Sequence, residues 1–180
     1  MLFRSRGELV IYNFRADPIL GTALAYWQAK RGGRLMPARR DIDPIEIPTL
    51  LPNVQLIEVL TDGGFRYRLV GTALVSAFGR DYTGQYVGKL FDADLAKSIS
   101  GYYQRSCAEQ KPVFARSRYV TAKAFDLIAN RLYMPLSENE RDVNMLFAAL
   151  TIDFGRLPPE RGAWGSARLM GAEPEIVIAD

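Results

Sequence analysis

Apolar positions along the 180-residue chain change period several times, and each change marks an element. From Asp17 to Arg31 the residues Ile19, Leu20, Ala23, Tyr26, Trp27 and Lys30 recur at helical spacing. Asp17 is placed to cap this helix, Pro18 suits its first turn, and Gly32-Gly33 ends it. Pro37, Pro44, Pro48 and Pro52 then prevent any long regular element, leaving one short helical turn around Ile45 to Leu51. "NVQLIEVL" and "FRYRLVG" read as strands, and the "TDGG" between them supplies the positive backbone torsions of a tight hairpin. Within the second strand, Phe65, Tyr67 and Leu69 share one face by alternation, and Arg66, Arg68 and Val70 share the other. Gly71 and Thr72 end that strand and cap the next helix.

A short helix follows around Ala73 to Phe78, then a loop carrying Gly79, Gly84 and Gly88 and a turn near Leu90. A longer helix runs from about Asp94 to Gln110 and stops before Pro112. Three β-rich runs come next, "VFARSRYVTA", "FDLIANRLYMPLSE" and "VNMLFAALTIDF", with "SENERD" as the polar turn between the last two, which predicts an antiparallel meander. After Gly155 proline, glycine and charge mix without period, so residues 155–180 read as a loose tail whose "EIVI" can add a short strand. The order predicts an α+β fold: a five-stranded antiparallel sheet with helices on one face, plus an N-terminal helix and a C-terminal tail. Residues 1–16 form an extension, 17–154 the domain and 155–180 the tail.

Composition narrows the chemistry. Apolar residues make up 48% and charged residues 24%, globular values that a chain of this length can turn into one core. The formal net charge of +3 is too mild to mark a nucleic-acid binder. One cysteine, Cys107, permits no internal disulfide, and the N-terminal apolar residues are interrupted by Arg4, Arg6, Glu8 and Arg15, so a cytoplasmic protein without a membrane segment is expected. The chain has no histidine, which removes Ser-His-Asp and Cys-His catalysis, histidine zinc sites and histidine-ligated haem together. No pair of carboxylates has a recognisable catalytic spacing, and no enzyme activity is expected.

Five segments in order, "GGRLMPARRDIDP", "LPNVQLIEVL", "FRYRLVGTAL", "GRDYTGQYVGKLF" and "RLYMPLS", resemble a bacterial PAS-like family found mostly in alphaproteobacteria, usually with one such domain per chain. The resemblance covers about residues 17 to 154. It implies a sensory or interaction module that binds small molecules between sheet and helices, or dimerises and contacts signalling proteins through its sheet and N-terminal helix. It implies no particular ligand.

A pocket of this kind would be lined from strands and short helices, and alternation nominates Tyr67, Phe78, Phe91, Tyr119, Asn130, Leu132, Met134 and Phe147. The competing reading is a filled core without a cavity. Asn130 separates them best, since inside the sheet it needs partners. Arg66 and Arg68 either grip an anion or lie outside and pair with acids such as Glu58, and Arg68 is a candidate anchor for Asp81. Cys107 lies in "RSCAEQK", which does not match the "NCRFLQ"-like helix of flavin photosensors, so a covalent flavin adduct is disfavoured and the cofactor is undetermined. The densest basic run, Lys30, Arg31, Arg34, Arg39 and Arg40, offers an alternative function in nucleotide or nucleic-acid binding, although Asp41 and Asp43 follow at once and no aromatic residue interleaves. Leu20, Leu24, Trp27 and Arg31 form a helical stripe that buries against the sheet or against a second copy, and a homodimer is expected.

Overall fold

The computed structural model describes residues 2–5, 8–11, 13–120, 126–154, 168–170 and 175–178. Strands β1 (Leu2–Ser5) and β2 (Glu8–Ile11) pair as a separate antiparallel hairpin within the expected N-terminal extension. Helix α1 (Pro18–Arg31) begins where the sequence places it: the Asp17 carboxylate accepts from the backbone N–H groups of Ile19 and Leu20 at 2.9 and 3.0 Å. It ends at Gly32, whose φ of 58° suits glycine. The proline-rich connector holds three single 3-10 turns, at Arg39–Asp41, Pro44–Glu46 and Leu51–Asn53.

The main sheet is built from β3 (Val54–Val59), β4 (Phe65–Val70), β5 (Val113–Val120), β6 (Asp126–Leu136) and β7 (Met145–Asp153), in the spatial order β4-β3-β7-β6-β5. Every pairing is antiparallel. Between β4 and β5 lie α2 (Thr72–Phe78), α3 (Val87–Leu90) and α4 (Ala93–Glu109), the last capped by Asp92 through the Leu95 N–H. The hairpin, the helical block and the meander thus stand as expected. The tail adds two short strands to the free edge of β5, β8 (Arg168–Leu169) and β9 (Glu175–Ile178); the latter is the "EIVI" run.

Both faces of the sheet are buried. Against one lie α2, α3 and α4, with Ile57, Tyr67, Tyr119, Ala129, Tyr133 and Leu146 among the sheet residues beneath them. Against the other lie α1 and the connector, packed on Leu56, Phe114, Leu132, Met134, Phe147 and Ala149. We call these the inner and outer cores. Leu20, Leu24 and Trp27 of α1 are fully buried in the outer core, so the apolar stripe of this helix is spent on its own sheet. The Trp27 indole N–H donates to the Pro135 carbonyl at 2.9 Å, beyond the point where β5 begins opposite Tyr133.

β4 departs from simple alternation. Tyr67 pairs with Ile57 and Leu69 pairs with Leu56, so Arg68 is an extra residue and the strand bulges there. Phe65 and Tyr67 enter the inner core, whereas Leu69 packs on the outer one and Val70 on the inner. The expectation that Phe65, Tyr67 and Leu69 share a face is therefore corrected by one inserted residue. Arg66 points outward and pairs with Glu58 on β3, its Nε and Nη2 lying 2.8 and 2.5 Å from Glu58 Oε2. Arg68 is exposed and forms no ion pair with Asp81 among the described residues; Asp81 accepts instead from the Thr83 N–H at 2.8 Å.

Gly71 marks the junction of strand and helix for a steric reason. A Cβ at this position would stand 2.3 Å from the Leu51 carbonyl oxygen and 2.4 Å from that of Pro52, both main-chain atoms. Gly71→Ala is expected to destabilise the fold by roughly 2–4 kcal/mol, since backbone must move to admit the methyl group. Urea unfolding measures this, and a loss below about 0.5 kcal/mol, the range of neutral surface changes, contradicts the close approach.

Candidate functional site

Arg131 sits at the centre of β6, and its side chain enters the inner core. It is 1% exposed, the one fully buried charged residue among those described. Its Nη1 donates to Tyr119 Oη at 2.7 Å and its Nη2 to Ser117 Oγ, both on neighbouring β5. Ser117 Oγ also lies 3.3 Å from Tyr102 Oη of α4. The guanidinium carbon stands 5.0 Å from the ring centre of Tyr102 and 5.6 Å from that of Tyr119, so aromatic faces as well as hydroxyls surround the charge. Arg131 Nε is buried and has no hydrogen-bond partner, and no carboxylate among the described residues pairs with this side chain. Burial opposes the charge while the hydroxyls of Tyr119, Tyr133 and Tyr102 favour it, the net direction being upward, so Arg131 is a cation.

This residue lines a cavity of about 10 Å³ between the sheet and the helices, on the scale of a single water molecule. Its polar wall is Gln55, Tyr67, Tyr82, Tyr103 and Tyr133, and its apolar wall is Phe91, Ile99 and Leu150. Gln55 Nε2 donates to Tyr82 Oη at 2.6 Å, and the hydroxyls of Tyr67 and Tyr103 share a hydrogen bond of 3.0 Å. Burial is the first cause raising the pKa of each of Tyr67, Tyr82, Tyr103 and Tyr133. These phenols stay neutral near pH 7 and supply no countercharge.

Of the eight residues nominated from alternation, Tyr67 and Phe91 line the cavity. Phe78 packs edge-on against Tyr82 and Phe91, at 4.8 and 5.8 Å between ring centres, and Tyr119 holds Arg131. Leu132 and Met134 of β6 and Phe147 of β7 lie in the outer core beneath α1, and Asn130 shares the face of β6 that carries Leu132 and Met134. Asn130 Nδ2 is 3.4 Å from Thr151 Oγ1, which donates to the Asp17 cap of α1 at 3.2 Å. These four are thus on the opposite side of the sheet from the other four, and the eight do not share a cavity. The face of β6 toward the helices carries Ala129, Arg131 and Tyr133 instead. Alternation leaves this parity open because helices cover both faces, and β6 is apolar on each side. Arg131 was missed because a charged strand residue reads as solvent-facing; its signal is a lone charge within the run from Leu127 to Leu136.

The other candidates resolve into local structure. Lys30 pairs with Glu46 at 2.6 Å, Arg34 with Asp41 at 2.7 Å and Arg40 with Glu138 at 3.2 Å, while Arg39 donates to the Ile42 carbonyl and Arg31 lies over the Trp27 ring. The basic run is therefore largely matched by the chain itself, which leaves little free charge for a polyanion. Cys107 is half-buried on α4, and burial pushes its thiol up to about 11. No helix among the described residues is long and apolar enough to cross a membrane.

Hairpin, helical block and meander, with a cavity between the sheet and the helices, make an α+β domain. A family model described as a PAS domain matches residues 17–151, most of the chain and the five central strands as far as Thr151 in β7. The chain belongs to the PAS domain family. No curated protein matches its sequence.

The raised thiol and phenols give a pH dependence of definite sign. The unfolded chain ionises Cys107 near its ordinary 9.0 and the tyrosines near 10.0, whereas the folded chain keeps them neutral to higher pH. Their contribution to stability is complete below about pH 9 and is lost as pH rises beyond it. The urea midpoint is expected to be level between about pH 7 and 8.5 and to fall above about 9; a level midpoint to pH 11 contradicts this. Alkylation of native Cys107 at pH 8 is expected to run about a hundredfold slower than that of the unfolded chain, in line with its smaller thiolate fraction. Equal rates contradict the burial argument.

Proposed function

We propose that this PAS domain is a non-catalytic sensor in which a small molecule, held between the sheet and α2 to α4, modulates contact with a signalling protein. The observation that supports this reading is Arg131. A cation has been placed at a cavity wall in the inner core with one N–H left without a partner. Structural economy alone does not favour such a residue, because an apolar side chain of similar volume is generally as stable or more so. Tyr67 and Phe91, and behind them Phe78 and Tyr119, complete the proposed lining.

The output runs through the surface left free. The apolar stripe of α1 is occupied, whereas Leu35 and Ile45 of the connector are 60% and 85% exposed. We assign partner contact, including a homodimer, to this connector and the outward side of α1. The cytoplasm, where signalling partners would meet it, is the proposed location.

Native mass spectrometry of the protein purified from its own host tests the sensor reading. It is expected to show one small molecule per chain, released on denaturation; a protein that is consistently empty contradicts the sensor. The same spectra are expected to show a dimer at micromolar concentration. A Leu35→Asp/Ile45→Asp variant is expected to be monomeric with an unchanged melting temperature, and a monomeric wild type removes the dimer.

A further inference from the structure

The hydrogen-bond census around Arg131 is unbalanced toward donors. Nη1 and Nη2 are engaged by Tyr119 and Ser117, but the Nε–H has no acceptor. Tyr82 Oη receives the Gln55 amide, so its own proton remains unspent. In the Tyr67–Tyr103 pair one hydroxyl donates to the other, whose proton is left over. All of these groups line the same cavity or belong to its Arg131 wall, and neither Asp nor Glu is among the lining residues. A site with a fixed positive charge, surplus N–H and O–H donors and no acid is complementary to an anion. The cavity is of water-molecule size, so the occupant must be compact where it meets the guanidinium.

We propose that the sensed ligand is a small monovalent anion, a halide or the carboxylate head of a short organic acid, accepting from Arg131 Nε–H and the hydroxyls of Tyr82 and the Tyr67–Tyr103 pair. The proposal rests on the sensor reading of this cavity and names its ligand class. Binding supplies the countercharge that the inner core lacks, so the anion couples directly to the stability of the sheet and of α4, which carries Tyr102 and Tyr103.

The test uses the full chain in chloride-free buffer, with sodium gluconate, a bulky carboxylate, holding ionic strength. Sodium chloride, sodium formate and sodium acetate are exchanged for gluconate in turn, with formamide and acetamide as neutral counterparts. At least one small anion is expected to raise the melting temperature saturably, by roughly 5–10 °C at a hundredfold excess over its Kd, while both amides leave it unchanged. A response to chloride alone assigns a halide site, and a response to formate or acetate assigns a carboxylate site. Arg131→Met is expected to lose the response and to melt no lower than the wild type in gluconate, because an uncompensated buried charge has been removed. Arg131→Lys keeps the charge and is expected to retain a weakened response.

Equal shifts from acetate and acetamide overturn the anion while leaving the ligand cavity in place. A response that persists in Arg131→Met puts the anion elsewhere and overturns the site. No shift from any probe overturns the anion, and an empty protein in native mass spectrometry then removes the sensor reading as well.

Discussion

Helices lie against both faces of the central sheet, so in the middle of β6 a side chain that leaves one core enters the other, and Arg131 has no route to water. Removing an ion from water costs several kcal/mol even after the protein relaxes around it. Tyr119, Ser117 and the ring of Tyr102 return part of that cost, and each is held by the packing of β5 or α4 on the sheet. The inner core is consequently a polar network inside an aromatic shell, and its integrity depends on α4 keeping its place.

That dependence gives the domain a means of acting as a regulator. The outer core is apolar: Trp27, Leu20 and Leu24 are buried in it, and the Trp27 indole N–H is satisfied by Pro135. Among the described residues, its sheet face carries an unpartnered buried side-chain oxygen, Asn130 Oδ1. The inner core has an unmet donor, a positive charge and a cavity within a few ångströms of one another. Tyr102 and Tyr103 tie this network to α4, and Tyr67 ties it to the bulged strand β4, whose partner is β3. Two-state coupling of this kind needs only that the occupied and empty forms differ in how tightly α4 is held.

Much of the fold was legible because its boundaries are written in local chemistry. Asp17 caps, Gly32-Gly33 stops, Asp62-Gly63-Gly64 turns, and "SENERD" separates two apolar runs; each of these acts over a few residues and survives into the structure. The face on which a strand residue points is a different kind of information. It requires a polar side to read against, and β6 presents Ala129 and Tyr133 to one core and Leu132 and Met134 to the other. Half of the expected pocket residues therefore fell beneath α1. The bulge at Arg68 is also invisible to alternation, since it shifts the register by one residue without any change in composition. Arg131 escaped because burial of a cation is a tertiary event: Tyr119 and Ser117 reach it only when β5 pairs with β6, and Tyr102 only when α4 packs on the sheet.

Anion binding at Arg131, as proposed, is read most directly from the Arg131 Nε–H resonance by nuclear magnetic resonance. A buried guanidinium exchanges its protons slowly enough to be observed, and assignment by comparison with Arg131→Lys is straightforward. A downfield shift of this proton that saturates with formate or chloride is expected, accompanied by changes in Tyr82 and Tyr103. A resonance that stays in place through both titrations, with the same shift in gluconate as in formate, would contradict it.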